Sequence, residues 1–223
     1  VPFKFKAYQI ASGVSHEVVD AVDSGSDADA VNTLVFQNGD IIGYNTDGIG
    51  LVRDITQNLG FSIAGKRILL MGAGGAAYGV AGPLLEQQPG ELIVVNRNLH
   101  KAEQIIGKIR GMPPNPGSGV AVARRSYAEL LNEQFDLVIN ATSSSLSDEM
   151  PPLPHGLFAP GALAYDMMYG RETPFMRFAR EQGTASVADG LGMLVEQAAE
   201  SFHIWRNVCP DTAPVIAALA AGR

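Results

Sequence analysis

Cysteine is almost missing from this chain. Cys209 is the only one in 223 residues, which excludes an internal disulfide and makes a reducing cytoplasm the expected setting. Histidine is scarce as well: His16, His100, His155 and His203 stand singly, and Cys209 has no second cysteine near it, so no metal is expected. No apolar run approaches the ~18 to 20 residues of a membrane span, and no secretory signal opens the chain. Basic charge is in deficit. Sixteen Lys and Arg against 23 Asp and Glu give a formal charge of −7, which argues against general adhesion to nucleic acid or anionic membrane while leaving a local basic pocket open. A nucleophile elbow is lacking too, because Ser143 to Ser145 have no flanking glycines in the Gly-x-Ser-x-Gly pattern.

What is present is alternation. "KRILLM", "ELIVV", "VAVA", "FDLVINAT", "ALAYDMMY" and "TASVA" are short apolar runs of strand length. Between them stand the helical patterns "AAYGVAGPLLEQ", "HKAEQIIGKI" and "TPFMRFAREQG", with "SYAELLN" opening on a serine cap. Such alternation predicts parallel strands joined by right-handed crossovers, an α/β fold with a Rossmann-like, doubly wound parallel sheet. The flanks read differently. Residues 1–50 hold "AVNTLVFQNGDIIGYNTDG", where "QNGD" predicts a hairpin turn and "NTDG" a loop. Residues 190–223 carry apolar positions three and four apart in "LGMLVEQAAESFHIWRNV", then the alanine-rich "APVIAALAAG", and are expected to fold back onto the first region. Two domains are expected, with residues 51–189 forming the larger and the two flanks the second, smaller α/β unit.

The stretch "LLMGAGGAAYG" places Gly72, Gly74 and Ala77 in a Gly-x-Gly-x-x-Ala pattern between a strand and a helix. Gly72 permits the tight turn, Gly74 lets backbone approach a pyrophosphate, and Ala77 lets the helix pack closely with its positive end towards phosphate. A flexible turn that binds nothing is the bland alternative. The next strand ends "VVNRN", where an NAD-binding protein usually carries an acidic residue. Arg97 stands there instead, 20 positions beyond Ala77, and suits a 2′-phosphate, so NADP is the expected cofactor. Lys101, one turn into the following helix, adds a second cation or is an ordinary solvated lysine. Hydride transfer then needs a group to handle the proton of an alcohol or ketone. Lys4 in "VPFK" and Asp47 in "NTDG" qualify, although one could be a terminal charge and the other a turn former.

At this point the residues resemble a known family. "VPFK", "AVNTL", "NTDG", "GAGGAA", "VVNRN", "FDLVINATSS", "YDMMY", "TPF", "DGLGMLVEQAAESF" and Trp205 occur in the order found in shikimate dehydrogenases, from Val1 to near the C-terminus. The resemblance implies reversible reduction of 3-dehydroshikimate to shikimate by NADPH, in aromatic amino-acid biosynthesis, in a cleft between a substrate domain and a Rossmann-like domain. It implies catalysis by Lys4 and Asp47, with Asn32, Tyr169 and Gln197 as further substrate contacts. It assigns Gly72, Ala73, Gly74, Gly75, Ala76 and Ala77 to the pyrophosphate, and Asn96, Arg97, Asn98 and Lys101 to the 2′-phosphate region. Thr142, Met167 and Gly190 match the nicotinamide side, with plain core packing an equal reading for Met167 and an exposed helix residue for Gln197. The implied partner is a small-molecule substrate, with no nucleic acid or membrane and a homodimer left open.

Three departures from the family pattern stand out. The units that carry a Ser-x-Ser carboxylate grip would precede Val1, so an N-terminally shortened chain that binds NADPH but turns over shikimate poorly is expected. The span from Lys4 to Asn32 is longer than usual, and Phe5 replaces an acidic residue that often follows the lysine. A quinate/shikimate dehydrogenase of broader specificity and a non-catalytic NADP-binding fragment are the alternatives.

Overall fold

The computed structural model describes residues 22–24, 31–37, 40–111, 119–142 and 150–222. Lys4, Phe5, Asn38 and Gly39 of the expected turn, and Ser143 to Ser145 lie outside them. The first described elements are β1 (Val22–Ser24), β2 (Thr33–Gln37) and β3 (Asp40–Tyr44). β2 and β3 pair antiparallel with Gln37 opposite Asp40, the register of the expected hairpin, and β1 pairs parallel with β3.

The larger sheet holds β4 (Arg67–Met71), β5 (Glu91–Val95), β6 (Ala121–Arg125), β7 (Phe135–Asn140), β8 (Phe158–Asp166) and β9 (Ser186–Ala188). Their spatial order is β6-β5-β4-β7-β8-β9, and every pairing is parallel. Helices α2 (Gly75–Glu86), α3 (Leu99–Gly111) and α4 (Pro174–Glu181) make the crossovers after β4, β5 and β8. Strand order reverses at β4, which has β5 on one side and β7 on the other. A doubly wound sheet binds ligands in the crevice at the carboxyl ends of such strands.

Why these strands read as unbroken apolar runs follows from the two layers of core. Ile68, Leu70, Leu92, Val94, Leu137 and Ile139 belong to one cluster. Their strand neighbours Leu69, Met71, Ile93, Val95 and Val138 belong to the other. Successive side chains point to opposite faces of a strand, and both faces here are covered.

"NTDG" is not the expected loop. Asp47 is the first residue of a helix, α1 (Asp47–Arg53), which continues as a wider π-helical turn over Asp54–Asn58. Local chemistry favours a turn at Asn-Thr-Asp-Gly, but the helix is held by packing against α2 and against α5 (Leu191–Arg206). Glycine makes the second contact close: a Cβ at Gly50 would lie 2.8 Å from Met193 O and from Gln197 N. α5 also meets β2, where the Trp205 indole N–H donates to Leu34 O at 2.9 Å. α6 (Ala213–Ala221) packs on α5.

Candidate active site

Among the described residues, two of the cavities bear on the predicted site residues. The first, of about 610 Å³, is lined by Gly72, Ala73, Gly74, Gly75 and Ala76 after β4, by Asn96, Arg97, Asn98 and Lys101 after β5, and by Tyr127, Ala141, Thr142 and Pro151. Ala77 is not in the lining. It is fully buried, against the core beneath the first turn of α2. The turn out of β4 has Gly72 at φ +113°, a conformation only glycine adopts without strain, and the Gly72 N–H donates to Val95 O at 2.8 Å. Asn98 is partly spent on structure, since its Oδ1 accepts from His100 N at 3.0 Å at the start of α3. Arg97 and Lys101 are the charged residues of this lining, in a chain of net charge −7, so the cavity suits an anion.

The cradle fits a pyrophosphate. Gly74 is exposed at the N-terminus of α2, and a Cβ placed on it would meet nothing within 4 Å. Gly74 is the residue that caps α2, and the N-terminus of a helix favours bound phosphate. A Gly74→Ala variant should therefore keep its stability within about 0.5 kcal/mol. Its affinity for NADPH, read by fluorescence titration, should drop roughly tenfold, a loss of about 1.4 kcal/mol. Unchanged affinity would exclude close backbone approach at this glycine.

Tyr127 was not singled out by its sequence context, although an aromatic residue just after a strand of an expected nucleotide-binding sheet was the available signal. It is half-buried, and burial pushes its hydroxyl up from the ordinary value while the charge of Arg97 pulls it down.

The second cavity, of about 210 Å³, gathers Asn32, Asp47, Met167, Tyr169, Gly190, Met193, Leu194 and Gln197. These come from the edge of β2, the start of α1, the end of β8 and the first turns of α5, and residues 165 positions apart meet there. The Asn32 amide donates to Asp47 Oδ1 at 2.8 Å and points towards Gln197 Oε1 at 3.4 Å. The Asp47 N–H donates to Asn45 Oδ1 at 2.9 Å. Burial pushes the Asp47 carboxyl above the ordinary aspartate value, and the hydrogen bond from Asn32 partly opposes that shift. The three residues assigned to the nicotinamide side are thus divided: Thr142 lines the larger cavity, while Met167 and Gly190 line the smaller.

A buried asparagine ties the two linings together, since the backbone oxygen of Asn140 accepts from Met167 N at 3.0 Å. Asn140, at the end of β7, accepts from the Thr142 hydroxyl at 2.7 Å and donates to Asp166 Oδ2, at the end of β8, at 3.0 Å. Asp166 also accepts from the Thr173 hydroxyl at 2.6 Å and from Met168 N at 2.9 Å. Asn140, Asp166 and Thr173 are essentially inaccessible. Sequence reading gave Asn140 and Asp166 no role, although a polar residue ending an apolar strand was visible in "FDLVIN" and "LAYD". Among the described residues no group of three His, Cys, Asp or Glu could hold a metal ion, and no helix is long and apolar enough to cross a membrane.

Known proteins match over most of the chain. Residues 53–147 match the family described as shikimate / quinate 5-dehydrogenase, and residues 190–220 match the shikimate 5′-dehydrogenase C-terminal domain. A shikimate dehydrogenase (NADP(+)) of Methylobacillus flagellatus is 58% identical over 221 residues, which span 99% of this chain and 77% of that protein. Among solved structures, an Ael1 enzyme from Pseudomonas putida superimposes with a TM-score of 0.78 at 42% identity, covering 98% of this chain and 76% of the other. A shikimate dehydrogenase in complex with NADP+ does so with a TM-score of 0.77 at 28% identity, covering 97% and 80%. The glycine cradle, the cation-lined cavity beside it and the close agreement in sequence over nearly the whole length lead to one assignment: the chain belongs to the shikimate dehydrogenase family.

Proposed function

We propose that this chain interconverts 3-dehydroshikimate and shikimate with NADP as the hydride carrier, a step of aromatic amino-acid biosynthesis in the cytoplasm. The observation that carries the reading is the pairing of a cation-lined cavity at the glycine cradle with a small cavity holding Asp47, Asn32 and Gln197, the two tied by Asn140, which accepts from the Thr142 hydroxyl and from Met167 N. In this reading Gly72 to Ala76 hold the pyrophosphate, Arg97 and Lys101 hold the 2′-phosphate, and Thr142, Met167 and Gly190 border the nicotinamide. The cofactor, when bound, accepts hydride from the alcohol carbon or returns it to the ketone. Asn32, Asp47, Tyr169 and Gln197 orient the substrate. Asp47 holds the Lys4 side chain beside the reacting hydroxyl, and Lys4, matched through the family pattern, takes that hydroxyl's proton as the ketone forms. In the reverse direction the Lys4 ammonium stabilises charge growing on oxygen and returns the proton. Residues 1–50 and 190–223 form the substrate unit and residues 51–189 the NADP unit, with a homodimer as the assembly.

Following NADPH absorbance with shikimate and quinate, each with NADP and NAD, tests the proposal. Shikimate with NADP should be the preferred pair, and Arg97→Ala should cost roughly tenfold in kcat/KM with NADP while barely changing it with NAD, because only the 2′-phosphate loses a partner. Equal loss with both cofactors would overturn the role of Arg97, and preference for quinate would move the substrate assignment within the family.

A further inference from the structure

Beneath Asp47 lies a chain of three buried hydroxyls that neither the glycine cradle nor the substrate contacts account for. Thr33 on β2 and Thr46 just before α1 are 0% and 1% exposed, and Ser201 on α5 is 7% exposed. Thr46 occupies the cap position of α1, yet its side chain makes no capping hydrogen bond. A threonine there ordinarily accepts from the second or third helical N–H. Here the hydroxyl turns sideways, 3.1 Å from Asn32 Oδ1, 3.2 Å from Gln197 Oε1 and 3.2 Å from Ser201 Oγ.

Counting hydrogens sets the direction of the chain. Ser201 donates to Gln197 O, one turn earlier in α5, at 3.0 Å, so its oxygen must accept. Thr33 also lies 3.0 Å from Asn32 Oδ1, but its single hydrogen serves the shorter contact, to Ser201 at 2.6 Å. The Thr46 hydrogen is then left for a carboxamide oxygen, that of Asn32 or of Gln197. The Asn32 oxygen also accepts from the Thr46 backbone N–H at 3.1 Å, which can only donate. That end of Asn32 is therefore oxygen, and its NH2 faces the Asp47 carboxylate at 2.8 Å. A flipped Asn32 would set NH2 against N–H and oxygen against carboxylate. Both contacts would be repulsive.

We infer that Thr46 is a positioning residue of the small cavity: its buried hydroxyl, backed by Thr33 and Ser201, donates across the shorter of its two carboxamide contacts and, with the Thr46 backbone N–H, holds Asn32 in the one orientation that presents amide hydrogen to Asp47 and keeps Asn32 aimed at the substrate. This rests on the proposed reading of the cavity as a substrate site. Thr46→Val removes the hydroxyl, keeps the branched shape and leaves the backbone N–H in place. It should lower kcat/KM for shikimate about tenfold, an effect of about 1.4 kcal/mol, without altering the Kd for NADPH. Thr46→Ser should restore kcat/KM to within about twofold, as expected when the oxygen matters rather than the methyl group. An unchanged kcat/KM in Thr46→Val, or a loss that serine does not repair, would overturn the inference. Because a purely structural threonine could lower activity through instability, the Asn32 side-chain amide signals in 15N-labelled protein supply a readout independent of turnover. Their solvent exchange should quicken roughly tenfold in Thr46→Val, as one hydrogen bond of ordinary net strength is lost, and unchanged exchange would remove Thr46 from the network. Wild-type chain without shikimate turnover would overturn the substrate reading instead, and the amide exchange would still decide whether Thr46 orients Asn32.

Discussion

Asp47→Asn is expected to lower shikimate oxidation by roughly 100- to 10,000-fold, the span usual for loss of a general acid–base group, while leaving NADPH affinity unchanged. Asparagine keeps an oxygen for the Asn32 amide but has no charge to hold the lysine that takes the proton of the reacting hydroxyl. The pH profile separates this role from simple packing. Burial raises the Asp47 carboxyl above 3.8, so kcat/KM should fall as the pH drops through that raised value, and the acid limb should vanish in the asparagine variant. Stability should move the other way. A carboxyl whose folded value lies above its unfolded one gives its full stabilising contribution below the unfolded value and loses it as the pH rises through the folded one. Wild type therefore carries the cost of a buried charge at pH 7, and the neutral variant should unfold at higher urea there. Such opposition between stability and activity is common at functional sites. Turnover equal to wild type would reduce Asp47 to a residue that merely begins a helix.

Gly192→Ala should be the most destabilising small substitution, by about 3 kcal/mol, from overpacking combined with disruption of a buried polar group. A Cβ at this position in α5 would lie 1.9 Å from Asp54 Oδ1 and 2.2 Å from its Cγ. Asp54 is held in place. The Tyr165 hydroxyl donates to it at 2.6 Å and the Asn58 amide at 3.0 Å, and only 4% of the residue is exposed. The same Asn58 amide reaches Glu196 Oε1 at 3.1 Å, so moving Asp54 disturbs a second buried carboxylate on α5. Burial pushes the Asp54 carboxyl up, the bonds from Tyr165 and Asn58 oppose that, and the charges of Glu196 and Asp189 add to it. Backing α5 away would relieve the clash, but Met193, Leu194 and Gln197 line the small cavity from the same helix, so KM for shikimate should rise along with the loss of stability. Gly107→Ala on α3 is the control. It too sits within a helix, but a Cβ there meets nothing within 4 Å. It should be neutral or gain up to about 1 kcal/mol from helix propensity. Equal urea midpoints for the two variants would overturn the account of close approach at Gly192.

The alternation of strands and helices, and the glycine loop that breaks it, was legible because each signal is local. An apolar run of strand length buried on both faces reads the same wherever the chain travels, and "GAGGAA" between β4 and α2 needs only its neighbours to form a turn. The smaller cavity was not legible in this way. Without the family pattern, Gln197 reads as an exposed helix residue and Asp47 as a turn former, since nothing near either one in sequence reveals the other.

The amino-acid sequence by itself determined the parallel sheet, the cradle at Gly72 to Ala76 and the cationic loop at Arg97, because short-range periodicity and backbone chemistry suffice for them. Tertiary structure alone decided that "NTDG" begins a helix, that Thr46 turns from capping to hold Asn32, and that Asn140 ties Thr142 of one cavity to Met167 of the other. Each of these depends on donors and acceptors brought together from distant positions, and a buried polar group takes whichever partner the fold sets beside it.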